Sequence, residues 1–187
     1  MDFQQGLITT IHEYGVTGDL INELNKSLKK RATSILIPCL YEEFERPALK
    51  DIKEVLKSLT CLNELVIALS AKTIEQVRAA TSFFNSMPFP VHIQWTNAPS
   101  VINLLKNQEK NGLELLVTPG KGWAVWQGIG VATRKSEVVA LFDADIRTFS
   151  PLYPSRMILP LLDESYGISY VKAFYSRLSL ETNQLQG

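Results

Sequence analysis

Five consecutive apolar residues, Val138, Val139, Ala140, Leu141 and Phe142, run straight into Asp143 and Asp145, which are separated only by Ala144. An apolar run this short, with no polar face of its own, suits a strand inside a parallel sheet covered on both sides. Carboxylates are not buried unpaired, so the chain must reach solvent as soon as the strand ends. In open α/β sheets the carboxyl ends of the strands are where ligands bind. Along extended backbone the two aspartates leave on the same side, an arrangement that a turn after Asp143 would change. Their hard oxygens suit Mg²⁺ or Mn²⁺, ions that keep several waters and often share a substrate phosphate. An acidic turn that merely ends a strand has the same local sequence.

The rest of the chain alternates in a way that fits such a sheet. Ser34 to Pro38 is a strand candidate, followed by a helix over Pro47 to Leu59 with Pro at its first turn and Ile52, Val55, Leu56 and Leu59 on its buried stripe. Leu65 to Leu69 is a second buried strand. Thr73 and Gln76 then have capping-box spacing for a helix that turns Ile74, Val77, Ala80 and Phe84 inward. After the Pro88-Phe89-Pro90 turn, Val91, Ile93 and Trp95 alternate with His92 and Gln94, which predicts a half-buried strand near an edge. Ser100 can cap a helix to about Lys110, Leu113 to Val117 reads as a short extended segment, and Gly122 to Arg134 as a further helix. Tyr166 to Arg177 reads as a last strand and Leu180 to Gly187 as a polar tail. Repeated βα units predict a three-layer α/β/α, Rossmann-like domain with a mostly parallel sheet and right-handed crossovers.

Ahead of the first strand, Phe3, Leu7, Ile8, Ile11 and Tyr14 recur at helical spacing, and Asp19 starts a second helix carrying Leu20, Leu24 and Leu28. Residues 1–31 thus read as a helical hairpin on a single domain spanning 1–187. It can pack on the sheet or on another subunit, which makes a homodimer one expectation.

Charge and cysteine content narrow the classes of function. Lys plus Arg and Asp plus Glu each total 19, so no global field draws the chain to nucleic acid or to an anionic membrane. Cys39 and Cys61 form no CxxC pair and sit among apolar residues, as reduced thiols do. With His12 and His92 far apart, a zinc site lacks its usual components. No stretch approaches 18 apolar residues and no basic, apolar leader opens the chain, so the expectation is a soluble, cytoplasmic protein.

Three further segments can carry chemistry. The first strand leaves through Pro38-Cys39-Leu40-Tyr41-Glu42-Glu43, where proline bends the exit. A base can lie along that bend, with Glu42 and Glu43 meeting a ribose or uracil edge or simply starting a helix as dipole-favoured acids. Gly120-Lys121-Gly122 opens the helix bearing Trp123 and Trp126, so amides, a helix amino terminus and one ammonium converge as they would on a diphosphate. A surface turn looks the same, it is not a Walker A loop, and Trp126 reads as core. In Val171-Lys172-Ala173-Phe174-Tyr175-Ser176-Arg177, alternation puts Lys172 on one face and Tyr175 with Arg177 on the other. Either face can meet an anionic substrate, and an amphipathic edge strand explains the pattern equally well.

In this order, from Ile35 to Arg177, the four motifs resemble glucosyl-3-phosphoglycerate synthases, nucleotide-sugar glycosyltransferases of the GT-A fold. The resemblance implies that Pro38, Cys39, Leu40 and Glu42 hold the nucleoside and that Lys121 reaches the sugar nucleotide. It implies that Asp145 is the metal ligand, with Asp143 contacting the nucleotide sugar. Where such enzymes have an acidic, serine-rich loop after the second strand, this chain has Ala68-Leu69-Ser70-Ala71, leaving Ser70 as the possible nucleotide contact, and Tyr41 replaces a common asparagine. Relatives continue beyond the last strand into segments carrying a further metal ligand and the acceptor site.

The expected activity is transfer of a hexose, glucose from UDP-glucose in first place, to a small phosphorylated acceptor such as 3-phosphoglycerate, with Mg²⁺ or Mn²⁺ as cofactor. The family retains anomeric configuration, yet no carboxylate nucleophile stands out here, so attack from the leaving-group face stays open. Two rivals are a catalytically incomplete binding or assembly module and a nucleotidyltransferase, the latter recognised by pyrophosphate release.

Overall fold

The computed structural model describes residues 19–110, 120–173, 177–178 and 185–186. The helix expected over Phe3 to Tyr14, the extended segment over Leu113 to Val117, and Tyr175 lie outside them.

Four parallel strands form the central sheet: β1 (Thr33–Leu40), β2 (Glu64–Ser70), β3 (Val91–Trp95) and β4 (Val138–Leu141), in the order β3-β2-β1-β4. Alternation along each strand divides the core into two. Ile35, Ile37, Leu65, Ile67 and Leu69 face α1 (Leu20–Leu28), α2 (Pro47–Leu56), α3 (Ile74–Phe83) and α6 (Leu152–Leu162), which contribute Leu24, Ile52, Ala80 and Ile158. Leu36, Val66 and Ala68 face α5 (Lys121–Ala132) through Ala124 and Ala132. A further helix, α4 (Pro99–Lys110), follows β3. This is the three-layer α/β/α arrangement, and no helix among the described residues is long and apolar enough to cross a membrane.

The caps follow the sequence. Asp19 accepts from the Asn22 amide (3.1 Å), Pro47 opens α2, and Thr73 accepts from the Gln76 amide while the Gln76 side chain takes the Lys72 amide. α1 docks within its own chain, burying Leu24 and Leu28 and donating from Asn25 to the Ser58 carbonyl. Among the described residues β3 stands at one end of the sheet, half-buried throughout, as its alternation predicts. Both cysteines are free.

Several expectations need correction. Among the described residues β4 pairs with β1 alone and so lies at the other end of the described sheet, and Leu141 is 41 % exposed, where the sequence predicts an interior strand. The apolar run reports composition, whereas edge position is set by strand order. Tyr166 belongs to a 3₁₀ turn over Glu164–Tyr166 that ends at Gly167 in the left-handed region (φ 59°), and residues 168–173 form no strand. Arg177–Leu178 is the one part of this stretch, among the described residues, that is extended and paired, with Leu185–Gln186 as its antiparallel partner. α4 starts at Pro99, not after a Ser100 cap, because proline's fixed φ and missing donor suit the first helical position. Ile74, the first residue of α3, is exposed because no preceding turn shelters it. Trp126 is 51 % exposed: α5 meets the sheet through Ala124, Gln127, Gly128 and Ala132, which turns position 126 outward, where it stacks on Trp123 (centroids 5.7 Å apart).

Candidate functional site

β1, β2 and β3 are laid down successively in one direction, and the chain then returns to place β4 on the other side of β1. The strand order therefore reverses between β1 and β4, and the crevice outside the carboxyl ends at such a reversal is the natural ligand site of an open α/β sheet. Two of the motifs found in the sequence leave the sheet there, one from β1 and one from β4.

At the exit of β1, Pro38 and Cys39 are buried, while Leu40 is 56 % exposed, an apolar surface at the mouth of the crevice. Burial, then Glu43 and Glu42, push the Cys39 thiol up to about 12, so it stays protonated and donates to the Leu40 carbonyl (3.2 Å). The chain then winds into a 3₁₀ turn over Tyr41–Glu45, held against α3 by Phe44, which packs edge-on against Phe83 and Phe84. That turn sets the two glutamates apart. Glu43 is buried, with Oε1 accepting from Arg46 (2.6 Å) and Oε2 unsatisfied, whereas Glu42 is exposed and paired with Lys72 (3.2 Å). Its own backbone amide, then the Lys72 ammonium, hold the Glu42 carboxyl below its ordinary range. Ser70 sits beside this exit because β2 pairs with β1 in the register Leu40↔Ser70.

At the exit of β4, the Phe142 amide makes a bond to the Leu36 carbonyl (3.0 Å), and the backbone turns at Ala144-Asp145. Phe142, Ala144 and Phe149 are buried, with Phe142 edge-on to Phe149, so the turn is fastened from below and its carboxylates are left above. Asp143 is 31 % exposed, and Asp145 is exposed and makes no hydrogen bond or ion pair among the described residues.

Lys121 links this exit to α5. Its Nζ lies 2.6 Å from Asp143 Oδ1, its side chain 62 % exposed. Gly120 caps the helix without a side chain, and Gly122 follows; both are exposed, so the first-turn amides face open space. Two contacts fix the helix at this height. Gln127 and Trp123 both donate to the Thr96 carbonyl (2.9 and 3.1 Å) just beyond β3, and Gly128 lets α5 settle onto Leu36, whose side chain a Cβ there would strike.

The structure thus brings Lys121, Gly120 and Gly122 to Asp143, Ala144 and Asp145 on one side, and Pro38 to Glu42 to Ser70 on the other. Lys172 is placed apart, lining a groove along the outer edge of β4 with Arg31, Glu137 and Met157. Arg177 enters through its backbone in the short β5–β6 pairing (β5, Arg177–Leu178; β6, Leu185–Gln186). Lys72, Thr96 and Gln127 were not singled out from the sequence. Lys72 could have been found as the first cation after the β2 exit, whereas the Thr96 and Gln127 contacts depend on how α5 crosses the sheet.

The two aspartates fit a Mg²⁺ or Mn²⁺ site of the open kind: carboxylate oxygens only, one of them without a partner among the described residues, beside an ammonium suited to phosphate oxygens. No third acid, histidine or cysteine among the described residues completes a cluster of three.

No protein-family model matches the chain. It is 34 % identical over 188 residues to a glucosyl-3-phosphoglycerate synthase of Methanococcoides burtonii, a match covering all of this chain and 46 % of that protein. It is 30 % identical over 189 residues to one of Persephonella marina, covering 99 % of this chain and 46 % of the relative. Among solved structures, the glucosyl-3-phosphoglycerate synthase of Mycobacterium tuberculosis in complex with Mn²⁺, uridine diphosphate and glucosyl-3-phosphoglycerate superposes with a TM-score of 0.52 at 26 % identity. That match covers 84 % of this chain and 48 % of the other. The chain therefore has the GT-A fold, is similar to glucosyl-3-phosphoglycerate synthases, and spans about half the length of the curated relatives it matches.

Proposed function

We propose that the chain binds a nucleoside diphosphate sugar, UDP-glucose in first place, across the carboxyl rim of β1 and β4. It provides the donor side of a metal-dependent hexosyl transfer to a small phosphorylated acceptor such as 3-phosphoglycerate. The observation that carries this reading is the Lys121–Asp143 contact of 2.6 Å at the strand-order reversal, two residues from Asp145, which has no partner among the described residues. The matched relatives, which have that activity in their names, support it.

In this reading the exposed face of Leu40 lies against the base, Pro38 and Cys39 underlie it as the last buried residues of β1, and Glu42 and Ser70 offer polar contacts to the nucleoside. Lys121 and the amides after Gly120 receive the diphosphate. Asp145 and Asp143 hold Mg²⁺ or Mn²⁺, which when bound acts as a Lewis acid toward the departing nucleoside diphosphate. Calorimetric titration with UDP-glucose should give heat that depends on Mn²⁺, and Asp145→Ala should remove it while the circular dichroism spectrum is unchanged. Mn²⁺-dependent binding that survives in Asp145→Ala overturns the assignment.

A second reading, donor binding without transfer, is favoured by the two-carboxylate count among the described residues. Release of UDP by the purified chain, dependent on 3-phosphoglycerate, excludes it.

A further inference from the structure

The Lys121–Asp143 ion pair has a consequence for how a divalent cation reaches the site. Asp143 is one of two acids able to hold that ion, yet its Oδ1 already has an ammonium at 2.6 Å. A ligating oxygen must approach Mg²⁺ to about 2.0–2.1 Å, and a positive charge on that oxygen repels the incoming ion as well as occupying its lone pair. Lys121 is free to leave. Its side chain is largely exposed, and the Cβ positions of flanking Gly120 and Gly122 have nothing within 4 Å. What it needs is another anion, and the diphosphate of the donor is one.

We infer that Lys121 is a placeholder cation: without ligand it neutralises Asp143 and holds off a bare divalent ion, and it gives up the carboxylate only when a diphosphate arrives to take the ammonium. This inference rests on the donor-binding reading above and deepens it. Metal and nucleotide sugar then bind as a coupled pair. By linkage, the factor by which the donor tightens the metal equals the factor by which the metal tightens the donor. The nucleoside end has the same design in weaker form, with Lys72 on Glu42, both more than half exposed.

The test is Mn²⁺ binding without nucleotide, followed by electron paramagnetic resonance of the free ion in the wild-type chain, Lys121→Met and Lys121→Gln. A placeholder predicts that both variants bind Mn²⁺ alone about three- to tenfold more tightly than wild type, since a repelling charge has gone. It also predicts that they bind UDP-glucose in saturating Mn²⁺ more weakly than wild type. Opposite signs are the signature, since a lysine that serves only the diphosphate weakens donor binding and leaves metal binding alone. Mn²⁺ affinity unchanged or lowered in both variants overturns the inference, as does no measurable Mn²⁺ binding in any of the three proteins. Wild-type chain that gives no heat with UDP-glucose and Mn²⁺ overturns the donor reading instead, and the metal titration still reports on Lys121 by itself. Circular dichroism on each variant confirms the fold, and the glutamine substitution keeps the experiment decisive where the methionine variant does not fold.

Discussion

The two ends of the central sheet are both rich in polar side chains, and they use them in opposite ways. At the amino end, Ser34 and Ser136 share a hydrogen bond (2.6 Å), Asn63 donates to the Ser136 hydroxyl and the Lys135 carbonyl, and Arg31 donates to the Leu161 carbonyl. Glu64, its side chain only 4 % exposed, faces Lys135 at 3.5 Å. These contacts stitch β1, β2 and the loop before β4 together. At the carboxyl end, above the buried Glu43 that Arg46 pins beneath the β1 exit, the pairs on the rim are Lys121 with Asp143 and Lys72 with Glu42, all partly or largely in water, and Asp145 has no partner among the described residues. Buried pairs are costly to break, and exposed ones exchange partners readily. One end is therefore fitted to hold the fold, the other to hold something else.

Substitutions at the two ends should separate along that line. The largest effect is expected at the carboxyl end and in function alone: Asp145→Ala loses Mn²⁺-dependent donor binding, while its unfolding free energy, read by denaturant titration, stays within the roughly 0.5 kcal/mol of an ordinary surface change. At the amino end Lys135→Met leaves the Glu64 carboxylate without its cation, and denaturant unfolding should show a loss of about 1–3 kcal/mol with donor binding by the folded fraction intact. Equal loss of donor binding in Lys135→Met would erase the distinction between the ends. Asn63→Ala, which removes two hydrogen bonds from the same cluster, should cost about 1 kcal/mol by the same measurement.

Smaller effects sharpen the comparison. Cys39 lies beneath the carboxyl rim, and its thiol is raised from 9.0 to about 12. Because the folded value exceeds the unfolded one, the native state binds the proton more tightly. That stabilisation is complete below pH 9 and is lost as pH rises toward 12. A thiol reagent at pH 8 should accordingly label half-buried Cys61 before Cys39. Smallest is Lys72→Ala: an NMR titration should show the Glu42 carboxyl moving up toward its ordinary value, though its own backbone amide, the larger cause, still holds it down.

How much of this was legible in the sequence depends on the range of the interaction that decides it. β1, β2 and β3 were legible because each is fixed by its own alternation or apolar run, although β1 runs on to Leu40 through Pro38, which the sequence placed at a bent exit. The exit after Phe142 was legible because a change from apolar to charged is local. The carboxylates of Glu42 and Asp143 could be named for the same reason. Their partners are another matter. Lys72 meets Glu42 because Ser70 stands in register with Leu40, and Lys121 meets Asp143 because α5 crosses to the other face of the sheet. Exposure of Leu141 and Trp126 belongs to this second kind, since strand order and helix rotation are decided by the whole core. Lys172 shows the limit of alternation: its neighbours read as a strand, but residues 168–173 have no ladder partner.

Gly128 carries a consequence for the ammonium two helical turns before it. A methyl group added there would meet the Leu36 side chain, itself fully buried, and α5 would have to ride up or tilt. Lys121 would travel with it as the far end of a lever, about 10 Å along the helix from the fulcrum. Aim at the acidic rim is thus governed by a hydrogen atom where a carbon would otherwise stand, deep in the apolar interior. A variant enlarged at that position would misdirect its charge without altering a single polar group.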